Sequence, residues 1–166
     1  MNANRRTFLL AGTAAAALGV YGLLRPMGVT PAAAAEGNFP YKLTDAEWKA
    51  KLSPAAYDVL RNDGTEMPGS SPLLDEHRAG IFSCLGCDQP LFDSKTKFES
   101  GTGWPSFYDH LPGGIATTTD NTLGMVRTEV HCANCGGHLG HVFDDGPKPT
   151  GLRYCMDGVA LKFTAA

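Results

Sequence analysis

The chain has 166 residues, 14 Lys and Arg against 17 Asp and Glu, a formal net charge of −3, and five cysteines. That length suits one domain with a terminal extension. A mildly acidic chain without a Lys/Arg stripe gives counterion release little to act on, which argues against a nucleic-acid partner.

Residues 1–35 read as an export leader. Asn4-Arg5-Arg6-Thr7-Phe8-Leu9-Leu10 carries a twin arginine, 11–24 is an apolar run rich in Ala and Gly, and Pro31 to Ala35 supplies small residues for a peptidase. The run is shorter than a full bilayer span, so a twin-arginine address to the periplasm is expected, with no stable membrane span after processing; an uncleaved helix is the competing reading. Cleavage would leave 36–166 as a single domain. Losing Arg5, Arg6 and Arg25 from the fourteen basic residues leaves eleven against seventeen acidic ones, a net charge of −6. A core of that size gains considerably from a structural metal.

The mature part opens with helix signals. Thr44-Asp45-Ala46-Glu47 is a capping box, Ser53-Pro54 a second start, and Asn62-Asp63-Gly64 a stop. Gly, Pro and Ser predict a loop over 64–72, with a helical turn or irregular chain over 73–79. Beyond Gly80 the pattern turns to short β-branched and aromatic runs between Gly, Pro and Asp turns, predicting strands over 81–84, 90–92, 115–119, 125–130, 139–143, 152–155 and 159–163. This is an antiparallel, mainly β domain with short N-terminal helices.

Four cysteines form two CxxC pairs, Cys84/Cys87 and Cys132/Cys135. Each pair offers two thiolates from one tight loop, as a tetrahedral Zn²⁺ site requires; two disulfides are the alternative in an oxidising compartment. A site made of four thiolates is coordinatively closed, so its metal is structural. Cys155 remains over, and an unpaired cysteine near His138 and His141 is a candidate nucleophile, while a buried core thiol is the plainer reading.

Gly101-Thr102-Gly103-Trp104-Pro105-Ser106-Phe107, Gly124 to Val130 (GMVRTEV), His138-Leu139-Gly140-His141-Val142-Phe143 and Gly146 to Cys155 (GPKPTGLRYC) lie in unbroken order. Over 41–163 the chain resembles the methionine-R-sulfoxide reductases of the B type. The resemblance implies two small antiparallel sheets in a tent-like arrangement, zinc on the paired cysteines, and Cys155 as nucleophile with both imidazoles beside it. A thiolate must attack the sulfoxide sulfur while an acid protonates its oxygen. His141 is expected to be the donor, supported by His138. Trp104 is expected to wall the substrate methyl group, with Phe107 a weaker candidate for that pocket and as readily a core residue. Arg153 would favour the Cys155 thiolate or brace a loop carboxylate such as Asp144. Arg127 and Glu129 are expected to pair structurally across strands. Methionine would leave a Cys155 sulfenic acid for an external reductant, thioredoxin-like, glutaredoxin-like or a small thiol. The substrate would be an oxidised protein or free methionine sulfoxide.

Two departures from the family pattern stand out. Where many members have a cysteine before Gly-Trp-Pro-Ser-Phe this chain has Thr102, so no resolving cysteine is left. Cys155-Met156-Asp157-Gly158 replaces a run close to Cys-Ile-Asn-Ser, so a carboxyl stands where an amide is usual and, when ionised, would disfavour the neighbouring thiolate; protonated, Asp157 would itself be an acid. A non-catalytic zinc-ribbon-like binding module and a thiol peroxidase are the competing function classes.

Overall fold

The computed structural model describes residues 37–166; the expected leader lies outside them. Helix α1 (Asp45–Lys51) starts at Thr44, whose hydroxyl accepts from the Glu47 amide while the Glu47 carboxylate accepts from the Thr44 amide. Helix α2 (Pro54–Asn62) is capped by Ser53 and buries Ala56, Val59 and Leu60. It ends at the expected Asn62-Asp63-Gly64 stop, where Asp63 takes the left-handed conformation, φ 53°. A short 3-10 turn, Pro72–Asp75, occupies part of the segment expected to be a turn or irregular. Among the described residues no helix is long and apolar enough to cross a membrane.

Nine strands follow among the described residues: β1 (Gly80–Cys84), β2 (Pro90–Asp93), β3 (Lys97–Phe98), β4 (Ser106–Phe107), β5 (Ile115–Asp120), β6 (Arg127–Cys132), β7 (His138–Phe143), β8 (Arg153–Met156) and β9 (Leu161–Ala165). They make two antiparallel sheets, a three-stranded one ordered β2-β1-β9 and a six-stranded one ordered β3-β4-β8-β7-β6-β5. The mainly β class with two sheets and two N-terminal helices is therefore the observed one. Aromatic rings fill the space between the sheets. Phe82 and Phe92 come from the small sheet, Phe107 and Tyr154 from the large one, and Phe92 stacks on Phe107 with centroids 4.4 Å apart. Such a pair contributes roughly 0.5–1.5 kcal/mol beyond its area burial.

Several expectations are corrected here. β3 and β4 have two residues each, too few for an alternation to register, and neither was predicted. β6 starts at Arg127 because Met125 and Val126 follow a 3-10 turn and stand in solvent, 53% and 79% exposed. Residues 158–160 form another 3-10 turn, with the Ala160 amide on the Asp157 carbonyl, so β9 starts at Leu161. Phe107 is fully buried in the core. It joins the sheets and lines no cavity with Cys155.

Candidate active site

β8 lies inside the large sheet between β4 and β7, which places Cys155 opposite Ser106 on one side and His141 on the other. Three residues apart on a regular strand, His138 and His141 would face opposite ways. The β6–β7 register shifts between Val130 and His131, leaving Leu139 unpaired, and this bulge returns both imidazoles to one side, their centroids 5.4 Å apart. Gly140 allows it. Its φ is 140°, and a Cβ there would lie 2.1 Å from the Cys155 carbonyl oxygen.

A cavity of about 130 Å³ is lined by Cys155, His141, Trp104, Asp157, Thr65, Arg127, Gly140 and Phe143. A polar neighbour of about 400 Å³ shares Thr65, Arg127 and His141 with it and adds His138, Glu129, Asp63 and Asp120. A wider cavity of about 630 Å³ lies between α2, the 65–73 segment and residues 158–161 and holds no cysteine or histidine. Cys155, the candidate nucleophile, lines the smaller pocket.

The Cys155 thiol is pushed up by burial and by Asp157; the Thr102 hydroxyl, 3.7 Å from Sγ, and the Arg153 guanidinium oppose this. Arg153 does not line the pocket. It binds both oxygens of Asp145 at 2.8 Å, not Asp144, and lies over the Phe143 ring. It favours the Cys155 thiolate first by its charge and to a smaller extent by side-chain hydrogen bonding.

His141 Nε2 meets Asp120 Oδ2 at 2.8 Å; burial lowers its pKa and Asp120 works against that. Asp120 is raised by desolvation, but Thr122, His141 and Arg127 outweigh it and hold the carboxyl below its ordinary range. His138 is 2% exposed, with Nδ1 on Glu129 Oε1 at 2.9 Å and Nε2 without a partner, 4.0 Å from Asp157 Oδ2. Asp157 is 3% exposed and accepts the Glu66 amide at 2.9 Å; burial pushes its carboxyl up to about 6. Trp104 is half-buried and donates its indole N–H to the Glu66 carbonyl at 3.2 Å.

Arg127 and Glu129 are thus more than cross-strand braces: Arg127 borders the pocket and Glu129 fixes His138. Glu66, Asp120 and Asp63 were missed altogether. Only Arg127 and Glu129 had a signal, the Arg-Thr-Glu segment of the family motif. The others act through long-range contacts that no local pattern reports.

At the far ends of β1 and β6, the sulfurs of Cys84, Cys87, Cys132 and Cys135 lie within 4.8 Å of one another. Cys84–Cys135 is 3.7 Å and Cys87–Cys132 3.5 Å, and no cysteine is in a disulfide. A disulfide needs about 2.05 Å, whereas a tetrahedron with metal–sulfur bonds of about 2.3 Å has edges of about 3.8 Å. The cluster fits a metal.

Residues 52–165 match the SelR domain family. A protein of Agrobacterium fabrum described as peptide methionine sulfoxide reductase MsrB is 52% identical over 121 residues, 72% of this chain and 90% of that protein. Proteins of the same description from Leifsonia xyli and Pseudomonas entomophila are 52% and 55% identical, covering 78% and 69% of this chain and 95% and 88% of their own lengths.

The buried Asp157 carboxyl makes stability depend on pH. Its folded pKa, about 6, exceeds the ordinary 3.8, so its contribution is fully present below about pH 4 and is lost as pH rises through 6. Asp157→Asn should therefore gain stability over the wild type by about 1 kcal/mol more at pH 8 than at pH 5. Urea unfolding of both proteins at the two pH values measures this, since metal contributions cancel in the difference. A difference that does not change with pH would mean that Asp157 is solvated.

Proposed function

We propose that this chain, which belongs to the SelR domain family of peptide methionine sulfoxide reductases, is a zinc-bearing, one-cysteine member exported by the twin-arginine route. It reduces methionine sulfoxide to methionine through a cysteine sulfenic acid that a thiol regenerates. Family membership displaces the readings as a binding module or a thiol peroxidase. The assignment of roles rests above all on one observation: Cys155, the one cysteine outside the four-sulfur cluster, faces a pocket shared with Trp104, His141 and Asp157.

In this reading Trp104 receives the S-methyl group and selects the R epimer. Cys155 attacks the sulfoxide sulfur as the thiolate. Its burial opposes ionisation, so Arg153 and Thr102, together with loss of charge on Asp157, set how much thiolate is available. The sulfoxide oxygen takes a proton from the groups opposite the nucleophile: His141, backed by His138, with the Asp157 carboxyl as a further donor near its own pKa. Methionine departs, the oxygen stays on Cys155 as S–OH, and two external thiols return the cysteine, releasing water and a disulfide. Thr102 occupies the position against Cys155 where a resolving sulfur would stand, so regeneration is intermolecular. Phe107 takes no part. Cys84, Cys87, Cys132 and Cys135 would hold one Zn²⁺, which with four thiolates has no open position and only fastens the fold. The family match at 52–165 falls inside the proposed mature domain, 36–166.

Mass spectrometry after one equivalent of methionine R-sulfoxide, without reductant, should find Cys155 as a sulfenic acid trappable by dimedone. Thr102→Cys should instead form a disulfide with Cys155. A wild-type disulfide between Cys155 and any paired cysteine would overturn the one-cysteine mechanism. Purified protein should contain one zinc per chain, and its removal should unfold the domain, since structural zinc contributes roughly 10–16 kcal/mol in small peptides. Metal analysis with thermal melts decides this, and two intact disulfides in place of metal would refute it. Replacing Arg5 and Arg6 by lysine should trap the precursor in the cytoplasm; unchanged periplasmic recovery on fractionation would refute the twin-arginine route.

A further inference from the structure

One residue outside all the sequence motifs ties together both walls of the pocket. Glu66 uses every polar group it has. Its amide donates to Asp157 Oδ1 at 2.9 Å and its carbonyl accepts the Trp104 indole N–H at 3.2 Å. Its carboxylate accepts the amides of Gly158 and Val159, the latter at 3.2 Å. These partners lie 38 to 93 residues away in sequence. The segment behind Glu66 is held in the same way: Gly69 donates to the Gly103 carbonyl at 2.7 Å, beside Trp104. The turn it grips is equally close-fitting, since a Cβ on Gly158 would lie 2.0 Å from the Ser71 hydroxyl oxygen.

We infer that Glu66 is a positioning residue of the reductase: its carboxylate anchors the loop at 65–70 onto the turn after Cys155, and the backbone of that loop then sets both the Trp104 wall and the Asp157 carboxyl against the nucleophile. A carboxylate accepting two backbone amides in a half-buried place is a strong link, because losing it leaves two donors without partners. Glu66 does not line the pocket around Cys155 and touches no reacting atom. It acts through Trp104 and Asp157, and so the inference rests on the role given to Trp104 above.

The test is a double-mutant cycle on the purified enzyme, with Glu66→Ala and Glu66→Gln each made alone and with Trp104→Phe, which removes the indole donor. Steady-state kinetics use methionine R-sulfoxide with dithiothreitol. Glu66→Ala should lower kcat/KM by about tenfold or more, chiefly through KM, and Glu66→Gln, which keeps one acceptor, by roughly threefold. In the Trp104→Phe background both losses should shrink to about half or less, because the indole held by the Glu66 carbonyl is already gone and only the effect through Asp157 remains. Equal fold-losses in the two backgrounds would overturn the inference while leaving the Trp104 assignment intact. A Trp104→Phe enzyme with wild-type KM would remove the wall itself and the inference with it. Should Glu66→Ala fail to fold, the isosteric Gln series decides by the same criterion.

Discussion

Convergence of four sulfurs at the ends of β1 and β6 is the constraint on which the remaining geometry depends. Each CxxC turn closes one sheet, and bringing the turns together fixes the small sheet against the large one at one end, while Phe82, Phe92 and Phe107 fill the gap between them. The second turn has a further effect. Only Gly136 and Gly137 separate Cys135 from His138, so the cluster dictates where β7 begins and with it the height of the first imidazole. The strand that carries Cys155 then pairs with β7, so the pocket beside it inherits its alignment from the four-sulfur cluster.

Around the nucleophile the balance of forces is unusual. Burial alone would keep Cys155, Asp157 and His141 neutral, and the charges near them, Arg153 against Cys155 and Asp120 against His141, pull in the other direction. Glu129, itself buried, stays below its ordinary range because His138 pairs with it. Protons in this cluster are therefore held by mutual contacts more than by solvent.

Much of this was legible in the chain. The capping box at Thr44, the Ser53-Pro54 start and the five-residue and longer strands follow from local periodicity and turn residues, and the doubled CxxC implied its own convergence. The bulge at Leu139 was not legible, because alternation along 138–143 says nothing about how the neighbouring strand slips. Phe107 stood between pocket and core on sequence grounds, and a two-residue strand decides for the core. Glu66 was invisible since its partners all lie far away in sequence, and Asp120 since its link to His141 crosses from β5 to β7.

Thr102 has a consequence for the lifetime of the oxidised enzyme. In the proposed mechanism an S–OH forms on Cys155, where a hydroxyl lies 3.7 Å from the sulfur and no thiol among the described residues adjoins it to collapse onto. It persists until a reductant arrives by diffusion, so repair speed scales with the thiol concentration outside the protein. While it waits it stands one peroxide away from the sulfinic state, which thiols do not reverse.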